Sequence, residues 1–129
     1  MGNHKKLTLE DLIAKKEQRA RDKLAYKDVY VESLGGCLTL KKIPATRFAA
    51  IMGKYDSENF EENIRFEVEL VYASCPRFQE QALQEAYDVK DPMDVVMAVL
   101  DDDLGALGTL AEAVTSFYGL GEVPDAVKN

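Results

Sequence analysis

Few side chains in this sequence could do chemistry. The single histidine among 129 residues is His4. Ser–His–Asp and Cys–His catalysis, and histidine metal sites, need an imidazole held beside its partners, and His4 stands in the polar stretch MGNHKK, where flexible chain is expected. The two cysteines, Cys37 and Cys75, lie in different predicted elements, without metal or redox spacing. Both are expected to be buried free thiols. Cys37 follows two glycines in a predicted turn, but an activated thiol needs a nearby cation, helix N-terminus or base, and Lys41 is far along the same strand. Asp101, Asp102 and Asp103 invite a divalent-cation reading. Calcium loops space their oxygen donors around a turn with a Gly and a closing Glu at fixed places; three consecutive acids do not aim at one centre and are expected to cap a helix and face solvent. GALG, Gly105 to Gly108, lacks the Lys-Ser/Thr and preceding strand of a phosphate loop, so its glycines are expected to admit a neighbouring helix. The pairs Glu61/Glu62 and Glu67/Glu69 are expected on a solvated side, with no cleft to raise a pKa. The sequence therefore predicts no catalytic, cofactor-binding or metal-ligating residue and no enzyme activity.

The length and the 47% hydrophobic and 30% charged composition predict one globular domain spanning residues 1–129, with 1–6 and 121–129 flexible. No apolar run approaches the roughly 20 residues that cross a bilayer, and the charged opening predicts no signal peptide.

The elements that position these residues are predicted as follows. Thr8 with Asp11 makes a short capping box for a helix through LTLEDLIAKKEQRARDKLAYKD. Its apolar stripe of Leu9, Leu12, Ile13, Ala20 and Leu24 is thin, so the helix cannot be held by its own core contacts and must dock late, project or exchange with another copy. VYVESLGGCLTLKKIP alternates with period two around SLGG, predicting a β-hairpin near residues 29–43. Two strands alone are marginal in water, so the apolar face must lie on a helix or the edges must pair with another chain. Pro44 suits a first helical turn, with Phe48, Ile51, Met52 and Tyr55 on one face. Asn59 with Glu62 starts the next helix, Ser57 being a competing cap. Phe60, Ile64, Val68, Val71, Tyr72 and Cys75 form its stripe, Phe66 and Leu70 widen it, and Pro76 stops it. RFEVEL also alternates like a strand, but four turns of 3.6-residue period decide for helix. A short helix with Phe78, Ala82, Leu83 and Ala86 follows. The next is capped by Asp91, with Pro92 at its first position and Met93, Val96, Met97 and Leu100 inward. The last, opened by the three acids, buries Leu104, Leu107, Leu110, Ala111, Val114, Phe117 and Tyr118 and ends at Gly119 or Gly121. The fold class is α+β, predominantly α-helical, with five to six helices and one hairpin.

Charge is divided unevenly. Residues 1–54 carry 12 Lys and Arg against 6 Asp and Glu, a net +6, and residues 55–129 carry 4 against 17, a net −13. Such a split marks a surface for a charged partner or another copy, or two halves that neutralise each other. Nucleic acid is a poor fit: Glu17 and Asp22 interrupt the basic run, no aromatic joins it before Tyr26, and the net −7 repels a polyanion.

The ordered set LTLEDLIAKKEQRARDK, SLGGCLTLKKIPATRF, YDSENFEENIRFEVELVYASCP, LQEAYDVKDPMDVV and FYGL resembles the XkdN-like family of phage tail assembly chaperones, PBSX-type prophage tail proteins, from Leu7 to Leu120. The resemblance implies a homo-oligomeric protein of the bacterial host cytoplasm, absent from the mature virion. It implies that the chain binds the tail tape-measure protein, keeps it soluble and helps tail-tube protein assemble around it, without membrane or cofactor. It offers no catalytic or ligand residues. Apolar grooves with adaptable side chains suit such work, and the candidates for partner binding or self-association are Met52, Tyr55, Met93, Met97, Phe117 and Tyr118. Two rival readings are a structural tail component retained in the virion and a small nucleic-acid-associated phage protein using the basic N-terminal helix.

Overall fold

The computed structural model describes residues 4–21 and 25–120, with side chains from 4–19 and 25–120. The expectations for Ala20 and Leu24, and for a tail at 121–129, lie outside these residues. Among the described residues, six α-helices and one antiparallel hairpin run in the order α1 (Leu9–Arg21), β1 (Tyr26–Val31), β2 (Gly36–Lys41), α2 (Ala45–Met52), α3 (Phe60–Ser74), α4 (Gln81–Ala86), α5 (Asp94–Leu100) and α6 (Leu104–Ser116). The fold class is α+β and predominantly helical.

Local signals start and stop the elements. The Asp11 N–H donates to Thr8 Oγ1 at 3.1 Å and the Thr8 N–H to Asp11 Oδ2 at 2.9 Å, so α1 opens on a reciprocal cap. Asn59, not Ser57, caps α3, accepting from the Glu62 N–H at 3.0 Å. The strand-like RFEVEL lies inside α3, and Pro76 ends that helix by opening a short 3₁₀ turn, Pro76–Gln79. Pro44 is the N-cap of α2 and not a residue of its first turn, its carbonyl accepting from Arg47 and Phe48.

In the hairpin, Tyr26 pairs with Lys41 and Val31 with Gly36. The connection is a 3₁₀ turn, Glu32–Leu34, closed by Gly35 at φ 68°, a conformation that costs a glycine nothing. β1 begins three residues before the expected Val29. Lys27, on the inward face with Val29 and Val31, breaks the apolar alternation that marks a strand. Its ammonium donates to Ser116 Oγ and lies 5.1 Å from the Phe117 ring centre. Such snorkelling lets a lysine stem pack where the pattern asks for a valine.

The core is α3 against α6, with α2 and α5 beside α3 and the hairpin's inward face on both. Leu40, Leu70, Val71, Phe78, Val95, Val96, Leu100, Leu107, Leu110 and Val114 are buried. The hairpin thus rests its apolar face on helices, as one of its two expected solutions. Several expected core residues are elsewhere. Phe60 is 74% exposed and Leu104 46%, because each sits in the first turn of its helix, before that helix reaches its neighbours. Ala82 and Ala86 are exposed, and Phe78 enters the core from the 3₁₀ turn and not from α4. Cys37 is exposed on the outward face of β2, while Cys75 is buried and its thiol pushed up by that burial.

The three aspartates make the α5–α6 corner. Asp101 and Asp102 take left-handed φ of 55° and 61°, tolerated by short polar side chains. Asp103 alone caps α6, accepting from the Ala106 N–H at 3.1 Å. Among the described residues the glycines of GALG admit no helix. A Cβ at Gly108 would meet nothing within 4 Å, and one at Gly105 would meet only the capping Asp103 oxygen, at 3.3 Å.

Candidate partner-binding groove

An apolar groove lies between α3 and α5. Ile64 and Val68 are four residues apart on α3, as are Met93 and Met97 at and within the start of α5, so each pair shares one helical face. The two pairs and Tyr55 line a hollow of about 470 Å³ whose rim carries Arg65, Asp91 and Asp94. Phe60 continues the Ile64–Val68 row one turn further, out to solvent.

Tyr55 is held in place. Its hydroxyl donates to Glu69 Oε1 at 2.7 Å, and Lys54 Nζ donates to Glu69 Oε2 at 2.6 Å. The Glu69 carboxylate as acceptor, then burial, raises the Tyr55 pKa, so the phenol stays a donor. At Glu69 burial opposes ionisation, but the hydrogen bonds from Lys54 and Tyr55 prevail and hold the carboxyl below its usual range. Glu69, at 14% side-chain exposure, and Glu67, raised by burial, are thus not the freely solvated pair the sequence suggested. The Asp91 carboxylate accepts from the Met93 N–H at 3.0 Å in the turn before α5, which begins at Asp94. This turn leaves Met93 and Met97 half-buried at the groove, while Val95, Val96 and Leu100 form the buried face.

The six sequence candidates therefore separate. Tyr55, Met93 and Met97 meet in the groove. Met52, 44% exposed at the end of α2, lies outside the lining of this groove. Phe117 and Tyr118 hold the end of α6. Tyr118 stacks on Phe48 with ring centres 4.5 Å apart, and its hydroxyl donates to the Ile43 carbonyl at 2.8 Å while accepting from the Ile43 N–H at 3.1 Å. Phe117 meets Tyr118 edge-on at 6.5 Å. Sequence reasoning did not assign Ile64, Arg65, Val68, Asp91 or Asp94 to a site. The available signal was an α3 stripe wider than one neighbouring helix can cover.

A second hollow, also about 470 Å³, lies between the hairpin turn and the start of α6, lined by Tyr30, Glu32, Ser33, Asp103 and Thr109 among others. It lacks the facing rows of long apolar side chains. Among the described residues no three His, Cys, Asp or Glu side chains gather as a metal site, and no helix is long and apolar enough to cross a membrane. The groove offers flexible thioethers, an aromatic ring and a charged rim, which suits the apolar face of a helix.

No protein-family model and no curated protein matches the chain. A crystal structure of the protein YqbN, a structural-genomics target, shares its fold with a TM-score of 0.56 and 21% identity, over 75% of this chain and 87% of that one.

Proposed function

We propose that this chain is a non-enzymatic assembly chaperone of a phage or prophage tail, acting in the bacterial host cytoplasm and absent from the finished particle. It holds an amphipathic helical segment of the tape-measure protein in the Tyr55–Met97 groove until tail-tube subunits enclose that protein. The observation that carries this reading is the groove itself: Ile64 and Val68 face Met93 and Met97 across an open hollow with charges on its rim. Helix-in-groove recognition reads apolar anchors one turn apart, and unbranched methionines adapt to different segments of a long helical client. The sequence likeness to XkdN-like chaperones supplies the client's identity.

Co-expression with the tape-measure protein of the same tail operon tests it. The expected result is a soluble tape-measure protein that co-purifies with this chain and is lost from the complex when Met97→Lys is introduced. An insoluble tape-measure protein with nothing co-purifying would overturn the reading. Mass spectrometry of purified particles should find the chain depleted; stoichiometric presence would instead make it a structural tail component.

A further inference from the structure

Helix α1 leaves its apolar face uncovered. Leu9, Leu12 and Ile13 lie at positions i, i+3 and i+4, on one side of the helix, and are 69%, 53% and 49% exposed. At 13 residues α1 is near the lower limit for a helix that persists in water, and its capping box cannot replace a packing partner. Among the described residues, its own body leaves these three side chains largely exposed. Beyond the three apolar residues the helix turns basic, with Lys15, Lys16 and Arg19 all exposed.

The groove has the complementary chemistry in the complementary arrangement. Its floor is Tyr55, Ile64, Val68, Met93 and Met97, and its rim carries Asp91 and Asp94. Among the described residues the rim's one cation is Arg65, which is paired with Glu61 at 2.9 Å, and the two aspartates set the sign of the rim. The same polarity holds at larger scale, a net +6 over residues 1–54 against −13 over residues 55–129. Apolar anchors followed by cations would meet an apolar floor followed by acids.

We propose that α1 of one copy lies in the Tyr55–Met97 groove of a second copy, with Leu9, Leu12 and Ile13 on its floor and its cations against Asp91 and Asp94. Helix and groove are different surfaces, so the contact is heterologous and builds chains, rings or a reciprocal exchange of helices. An occupied groove cannot hold a client helix, so self-association and client binding compete. This last clause rests on the client reading given above; the self-docking does not.

Sedimentation of the full chain across a concentration series tests the proposal. The wild type should associate. The triple variant Leu9→Lys, Leu12→Lys, Ile13→Lys alters only exposed residues and should weaken association by roughly tenfold or more, equivalent to about 1.4 kcal/mol or more. Met97→Lys should do the same. The double variant Asp91→Asn, Asp94→Asn changes only the rim, and loss of association there supports the contact even if the methionine variant folds poorly. Mixing the triple variant with a groove variant should restore a one-to-one heterodimer, because one intact helix then meets one intact groove. A wild type that stays monomeric at high concentration overturns the proposal, and protection of α1 amides in that monomer would assign the groove to the chain's own helix. Helix variants that dissociate while groove variants associate normally also overturn it, in favour of α1 pairing with α1. Equal capture of the tape-measure protein by the triple variant and the wild type would remove the competition and leave the self-docking intact. Failure of both to capture it would count against the client reading alone.

Discussion

Helices α1 and α6 are each 13 residues long and each opens on a side-chain cap, yet they have opposite fates. α6 buries Leu107, Leu110, Ala111 and Val114 against α3 and the hairpin. α1 exposes Leu9, Leu12 and Ile13. Capping and propensity can start a helix, but they contribute little to the stability of a domain; covering an apolar face contributes far more. Three exposed apolar residues on α1 against a buried face of Leu107, Leu110, Ala111 and Val114 on α6 is the difference, and the uncovered three mark where another surface must come from.

The largest effects should separate these two helices. Leu110→Ala is expected to lower unfolding free energy by about 2–5 kcal/mol, the range for emptying a packed leucine site. Leu12→Ala, at dilutions where copies are apart, should change it by less than about 0.5 kcal/mol. Denaturant titrations of both variants check this, and a large loss at Leu12 would mean that α1 packs on its own body after all. Caps give a smaller version of the same contrast. Asn59→Ala should cost about 1 kcal/mol of global stability, because α3 is the core's central helix. Thr8→Ala should reduce helical circular dichroism while leaving the unfolding midpoint in place.

Charge near the groove gives the smallest effect, read against pH. The folded-state pKa of Glu69 is lowered, so its contribution is present above the ordinary carboxylate range and is lost as pH falls through that lowered value. Glu69→Gln should reduce stability at neutral pH and flatten the acid limb of the stability profile. Glu67 has the opposite sign. Burial raises its pKa, so its charged form subtracts stability at neutral pH, and the deficit disappears as the group protonates at lower pH. Glu67→Gln should stabilise at pH 7, by less than about 1 kcal/mol given its partial solvent screening. Equal profiles for the two variants would mean that the Lys54 and Tyr55 hydrogen bonds do not hold Glu69.

Much of this could be read from sequence where the cause is local. Thr8 with Asp11, Asn59 with Glu62, the SLGG turn and the stop at Pro76 each act within a few residues of themselves, and each occurs where the pattern placed it. Tyr55, Met93 and Met97 were legible as adaptable side chains, although nothing in the sequence joined them. The misplaced side chains, unlike the shifted helix starts at Pro44 and Pro92, share a non-local cause. Lys27 counts as inward only because Ser116 and Phe117 lie 89 and 90 positions away to receive it. Phe60 and Leu104 obey their helical stripes but lie in turns where no neighbour covers them. Gly105 and Gly108 have the spacing of a close helix contact, without a helix on that side among the described residues.

The sequence by itself determined which stretches form the helices and the hairpin, and several of their caps and stops, because hydrogen bonding, φ preferences and side-chain period are properties of short stretches. It also determined the division of charge and the scarcity of reactive groups. Only the tertiary structure decided which apolar faces are covered: among the described residues α6 and the hairpin found partners within the chain, while Leu9, Leu12 and Ile13 of α1 stay exposed and the Ile64–Val68 row is half-covered. Burial depends on which surfaces arrive together in space, and that is set by the packing of all the elements at once.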